Sequence, residues 1–271
     1  MIGRKFIKST LVKTQCILKY KPKGFCLLTG APRSGTTALC EWLNEHPKIG
    51  AFTESRILIA THNFLQAAFR YQYLNDHRKY ILPMAREMIY EFYRNQCIFF
   101  GRKLVLDKEP IEPIAFPEKH YKEFLDNVRI LIPEAKFIIM VRDPISTIWS
   151  MFQREWGFSL TNKSILKSFS LTEHIDTWCS AAEIALSYKS DPNTYICSFS
   201  NLINKPMNES RAILKFLGVK KGKPFKSETT KTVGFNAEEK QLILNKTLPQ
   251  IKELKIEGIE CKIDENSIIN D

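Results

Sequence analysis

GFCLLTGAPRSGTTALCEWL, residues 24–43, decides how the chain folds. Residues 24–29 form a short apolar run, which reads as a buried strand. A glycine-rich turn follows, then a helical pattern through Thr37, Ala38, Leu39, Cys40, Glu41, Trp42 and Leu43, which Pro47 ends. Glycines let backbone turn sharply between strand and helix. Main-chain N–H groups and the positive end of the helix can then surround an anion.

The turn itself reads Gly30-Ala31-Pro32-Arg33-Ser34-Gly35-Thr36-Thr37. Its spacing is that of the nucleotide P-loop, GxxxxGK[ST], with Thr36 in the lysine's place. In triphosphatases that lysine reaches the β- and γ-phosphates while the Ser or Thr holds magnesium. Without it the turn suits a single 5′-phosphate better than a triphosphate. Thr36 and Thr37 add hydroxyl donors and Arg33 a planar cationic fork. A turn of this kind can also be purely structural.

Outward from this turn, strand and helix signals alternate. Residues 49–52, 104–106, 136–141 and 194–199 read as further short strands. Residues 57–95 are aromatic-rich and mostly helical in pattern, with Pro83 as an interruption. Helices are expected over 118–131 and 209–217, the second stopped by Gly218. The pattern predicts an α/β fold: a P-loop-like, doubly wound, mainly parallel sheet flanked by helices. One domain is expected over 1–271. It comprises a basic N-terminal extension (1–23), a core (24–218) and a polar C-terminal region (219–271) that covers the site.

The segment TGAPRSGTTALCEWLNEHPKI, residues 29–49, resembles the 5′-phosphosulfate-binding motif of sulfotransferases that use 3′-phosphoadenosine 5′-phosphosulfate. It looks closest to the tyrosylprotein, Golgi-type and bacterial branch. The resemblance implies a P-loop-like fold and magnesium-independent transfer. It also implies that Arg33, Ser34, Gly35, Thr36 and Thr37 hold the donor's 5′ end, and that no metal is needed.

A second anion site is expected where residues 133–151 read PEAKFIIMVRDPISTIWSM. Arg142 falls at the carboxyl end of the strongest strand, where open α/β sheets bind ligands. Ser150 lies about two turns into the following helix. Arg-Asp-Pro after a strand often only frames a turn. Beside the first motif it resembles the family's 3′-phosphate site, with Arg142 and Ser150 as the matching ligands.

Transfer to a hydroxyl needs a base and cations for the departing phosphate. Glu54, in Phe52-Thr53-Glu54-Ser55-Arg56, resembles the family's Glu-x-Arg segment, whose Glu is the base; otherwise it reads as a surface partner of Arg56. Lys108, in Leu106-Asp107-Lys108-Glu109-Pro110, resembles the lysine that contacts the transferring group, though a solvated lysine in an acidic turn has the same pattern. Arg33 joins these two as a catalytic candidate. Pro110 stands where the phenol-sulfating branch has a histidine, and His62 reads as a helix-surface residue. Phe199 replaces a family tyrosine, and Lys231 lies in a polar stretch, 226–234, able to close over the donor.

Composition bounds the partners. The 271 residues carry 40 Lys and Arg against 29 Asp and Glu, a formal charge of +11. That excess favours an anionic partner or simply a basic surface. No RNA-recognition signature, zinc-finger spacing or arginine-rich tract points to nucleic acid. The seven cysteines include no CxxC pair and several lie in apolar runs, which reads as reduced thiols in a cytosolic compartment. Residues 1–23 are basic and mildly amphipathic, so weak peripheral membrane contact is one reading. A bacterial-type cytoplasmic protein, or an excised catalytic domain of an anchored enzyme, would look like this. The acceptor stays open among small molecules, sugars, lipids and peptides. A kinase with an aberrant P-loop and an inactive nucleotide-binding protein are the competing readings.

Overall fold

A computed structural model describes residues 22–97, 102–111, 121–153, 169–220, 222–226 and 233–261. Its centre is a five-stranded sheet of β1 (Gly24–Gly30), β2 (Ile49–Thr53), β3 (Leu104–Lys108), β4 (Lys136–Val141) and β5 (Thr194–Ser198). The strands lie in the order β2-β3-β1-β4-β5, with every neighbouring pair parallel. Parallel strands need crossover connections, and helices supply them: α1 (Thr36–Asn44), α2 (Ile57–Ala68), α3 (Gln72–Asp76), α4 (Arg78–Cys97), α5 (Tyr121–Leu131), α6 (Pro144–Phe152) and α7 (Leu171–Ser187); α8 (Phe199–Asn204), α9 (Pro206–Leu217) and α10 (Ala237–Ile256) follow β5.

Both faces of the sheet are buried, so the strands alternate between two cores rather than between core and water. Phe25, Leu27, Phe137, Ile139 and Val141 join one core with residues of α2, α4, α5, α6, α7 and α10. Cys26, Leu28, Ile138 and Met140 join the other with residues of α1, α8 and α9. The doubly wound parallel sheet is therefore as the sequence predicts. β1 sits between β3 and β4, so the chain's excursions leave it to either side. A crevice at its carboxyl end is the place where such sheets take ligands.

Three local expectations change. Pro83 does not interrupt: α4 runs through it, and the breaks fall before α3 and before α4 instead. Pro83 and Lys79, whose carbonyl the proline cannot serve, are both exposed, so water can satisfy that group. Phe199 opens α8 rather than ending β5, because the Ser198 hydroxyl accepts from the Asn201 amide and caps a helix there. The polar C-terminal region contains the 20-residue α10, docked on α7 by buried Ile243, Thr247, Ile251 and Leu254. The helix predicted from residue 118 is seen from Tyr121; residues 118–120, like 1–21 and Lys231, lie outside the described residues.

Candidate active site

The turn after β1 is shaped by backbone that few residues tolerate. Gly30 has φ +145°, and a Cβ there would lie 2.5 Å from the Met140 carbonyl oxygen. Gly35 has φ +103°, and its Cβ would strike the Phe199 ring at 2.5 Å. Between them Arg33 is left-handed too, at φ 67°. Gly35 then caps α1, whose first-turn amides have no helical acceptors. Gly35, Thr36 and Thr37 line a cavity of about 430 Å³ at this helix end.

Arg142 reaches the same cavity from the end of β4. Asp143 fixes its setting by capping α6, its carboxylate accepting from the Ser146 amide at 2.7 Å, with Pro144 opening the helix. The guanidinium stacks on Phe199 at 4.6 Å and donates to the Arg33 carbonyl at 3.3 Å. Burial lowers its pKa from the ordinary arginine value, and Asp143 opposes the shift. One turn and more into α6, Ser150 accepts from Arg33 Nε at 3.1 Å. The two motifs, 109 residues apart at Arg33 and Arg142, thus touch each other directly.

Lys108 enters from the end of β3 and is buried. Its ammonium donates to Glu54 Oε1 at 2.6 Å and to Thr37 Oγ1 at 3.1 Å. Glu54 follows β2, held in register by its own amide donating to the Lys108 carbonyl at 2.9 Å. Its other oxygen accepts from Arg56 Nη2 at 2.7 Å. Glu54 and Arg56 both have positive φ, 55° and 61°, which is costly for residues with side chains. All three non-glycine residues with positive φ among the described residues therefore belong to this site.

The cavity brings together Arg33, Gly35, Thr36, Thr37, Glu54, Lys108, Arg142 and Ser150. Ser34 is the exception among the predicted residues. Its hydroxyl is buried beneath the loop, 3.1 Å from where a Gly30 Cβ would stand, and does not line the cavity. His62, expected on a helix surface, is buried between α2 and α5, where its Nδ1 lies 2.9 Å from Asn127 Nδ2. None of Phe64, Phe69, Tyr71, Tyr73, Tyr80, Tyr90, Phe92 and Tyr93 lines the cavity. Of the described C-terminal residues only Val233 does, beside Gly234 packed on Trp149.

The sequence reading missed Trp149 and the acids around Lys108. Trp149 lines the cavity and packs on Phe235 at 4.7 Å. Its buried Nε1 has no hydrogen-bond acceptor among the described residues, and the buried Arg142 Nε meets only the Asp143 carboxylate, at 3.7 Å. Glu109, fully buried, accepts from the Arg56 amide at 2.7 Å and from Arg56 Nη1 at 3.1 Å. Burial pushes its carboxyl up to about 8, with Asp107 adding to the shift and Arg56 opposing it. Asp107, also buried, is raised by burial and eased by bonds from Ser55 and Tyr93. Acids continuing an apolar strand were the available signal.

Residues 26–222 match the model of the sulfotransferase family, which is most of the chain. The chain belongs to the sulfotransferase family. Nodulation protein NoeE of Sinorhizobium fredii is 23% identical over 219 residues, covering 71% of this chain and 49% of that protein. Protein-tyrosine sulfotransferase of Drosophila melanogaster is 26% identical over 197 residues, covering 70% of this chain and 37% of that protein. The chain thus spans half or less of the length of these curated relatives. Its fold is shared with the solved sulfotransferase STF9 from Mycobacterium avium at TM-score 0.55, 12% identity, 96% of this chain and 83% of that one. A sulfotransferase from Alicyclobacillus acidocaldarius gives TM-score 0.54 at 14% identity, covering 91% and 98%. Among the described residues no helix is long and apolar enough to cross a membrane, and no three His, Cys, Asp or Glu side chains cluster as a metal site.

Proposed function

We propose that this sulfotransferase moves the sulfuryl group of 3′-phosphoadenosine 5′-phosphosulfate to a hydroxyl acceptor, with Glu54 as general base. One observation carries the reading: the phosphate turn, Arg142 with Ser150, and the Glu54–Lys108 pair all line one cavity. Its volume, about 430 Å³, suits a nucleotide-sized ligand. The residues fit such a donor. Glycine is required at 30 and 35, the N-terminus of α1 opens on the cavity, and the buried Trp149 Nε1 there has no acceptor among the described residues.

In this reading Gly35, Thr36, Thr37 and the α1 N-terminus hold the 5′-phosphate, and Arg142 with Ser150 the 3′-phosphate. The donor supplies a sulfuryl group on a good leaving phosphate. Glu54 takes the acceptor's proton as the new oxygen–sulfur bond forms. Lys108 and Arg33 offset the charge left on the phosphate oxygen when its bond to sulfur breaks. Arg56 holds one Glu54 oxygen at 2.7 Å and Lys108 the other at 2.6 Å, so the carboxylate is fixed at the cavity wall, where an acceptor hydroxyl would meet it.

The test incubates radiolabelled donor with phenol, tyrosyl-peptide, sugar and lipid hydroxyl acceptors. Glu54→Gln is expected to lower turnover by about 100-fold or more while donor affinity stays within about threefold. Arg142→Ala is expected to weaken binding of the product nucleotide, 3′-phosphoadenosine 5′-phosphate, by about tenfold or more. Full turnover by Glu54→Gln removes the base. Transfer of phosphate from ATP by the wild-type chain would bring back a kinase.

A further inference from the structure

β3 and the residue after it present three ionisable side chains in a row, Asp107, Lys108 and Glu109, and of these only Lys108 lines the cavity. Successive residues of extended backbone point to opposite faces, so the two acids flanking Lys108 turn away from it into the protein. Both are fully buried. Buried carboxylates are costly unless they hold specific partners, and these two have them. Asp107 accepts from the Ser55 amide at 3.4 Å and from the Ser55 and Tyr93 hydroxyls. Glu109 accepts from the Arg56 amide and the Arg56 guanidinium.

Tyr93 comes from α4, but Ser55 and Arg56 are consecutive residues of one loop, and that loop carries Glu54. Left-handed backbone at Glu54 and Arg56 persists only if the surroundings impose it. Glu109 does so at both levels of Arg56. Its Oε1 holds the amide, which fixes the backbone turn; its Oε2 holds Nη1, which turns Nη2 toward Glu54. Glu54 is then clamped between Arg56 on one oxygen and Lys108 on the other.

We propose that Glu109 is a positioning residue for sulfuryl transfer, acting through Arg56 to hold the Glu54 carboxylate at the cavity. This rests on the reading of Glu54 as the base. Glu109 does not line the cavity, so its loss acts on the geometry of the chemical step and spares the donor's phosphate contacts.

The experiment measures kcat and donor KM for the full chain and for Glu109→Ala, Glu109→Gln, Glu54→Gln and the Glu54→Gln/Glu109→Ala double variant. Turnover is read as release of 3′-phosphoadenosine 5′-phosphate from the donor, with the best hydroxyl acceptor or water. Calorimetric affinity for that same nucleotide reports an intact binding fold. Glu109→Ala is expected to lower kcat by about 100-fold, the scale of a catalytic group displaced by about 1 Å, with donor KM within about threefold. Glu109→Gln keeps an acceptor oxygen for the Arg56 amide and is expected to recover part of the loss. It also supplies the measurement if the alanine variant does not fold. The double variant should be no slower than Glu54→Gln alone, because both changes remove the same group's action.

Unchanged kcat in Glu109→Ala and Glu109→Gln overturns the inference, as do losses that multiply in the double variant. A kcat loss matched by an equal loss of nucleotide affinity also overturns it, since that is general loosening. Full turnover by Glu54→Gln overturns the base and this inference together. An inactive Glu54→Gln beside a fully active Glu109→Ala overturns the inference alone.

Discussion

Gly35 and Gly218 both have left-handed backbone, at φ +103° and +72°, yet only one of them touches the site. A Cβ at Gly218 meets nothing within 4 Å, so alanine there costs the conformational strain alone, about 1–2 kcal/mol. A Cβ at Gly35 meets two carbons of the Phe199 ring at 2.5 Å, and that ring carries the Arg142 guanidinium. Gly35→Ala must therefore move Phe199, and Arg142 with it. Titration with 3′-phosphoadenosine 5′-phosphate should show affinity reduced by about tenfold or more in Gly35→Ala, and by less than about twofold in Gly218→Ala. Equal affinities would dissociate the turn from the Arg142 site. Residues of this kind were legible in the sequence because turn chemistry is local: Gly30, Gly35, Arg33 and the two threonines need only their own neighbours. Arg56 and Glu109 were not legible as a pair. Whether an acid beside Lys108 is buried depends on β2 and β3 pairing with Thr53 opposite Lys108, which spacing along the chain does not disclose.

At the scale of elements, the strands were readable because short apolar runs bounded by breakers have few other uses in a parallel sheet. The C-terminal helix was harder. Its inward residues Ile243, Thr247, Ile251 and Leu254 recur at helical spacing, but lysines, glutamines and Pro249 surround them. Only packing against α7 gives that weak pattern a buried face. A capping box starts the helix: Asn236 accepts from the Glu239 amide at 2.9 Å while Glu239 accepts from the Asn236 amide at 2.9 Å. Asn236→Ala should cost about 1 kcal/mol, seen as a melting temperature lower by about 2–4 °C. The segment just before this cap packs Phe235 edge-on against Trp149, which lines the cavity. Bound 3′-phosphoadenosine 5′-phosphate should restore much of the lost melting temperature, by mass action on the folded state. An Asn236→Ala protein that melts like the wild type would show the cap to be redundant.

The whole molecule carries a further consequence of placing two acids inside it. The Glu109 carboxyl is raised from the ordinary glutamate value, 4.5, to about 8 in the folded protein, mainly by burial. Between those values the folded state binds a proton that the unfolded chain has released. Stability contributed by this group is therefore fully present below about 4.5 and is lost as pH rises through about 8. Asp107, raised by burial in the same way, acts in the same direction. His174, lowered by burial, acts oppositely but only below its ordinary value of 6.5. The buried thiols add a loss of their own nearer 9, where free cysteines ionise in the unfolded chain. Comparing wild type with Glu109→Gln cancels these shared contributions. Denaturant unfolding of both proteins at pH 5, 6.5 and 8 should show the wild type losing stability relative to the glutamine variant as pH rises. A constant difference across that range would mean that Glu109 stays ionised in the fold, held by Arg56 against the cost of burial. The result also fixes the charge with which Glu109 meets Arg56 at neutral pH, and so how much of the guanidinium's charge is left for Glu54.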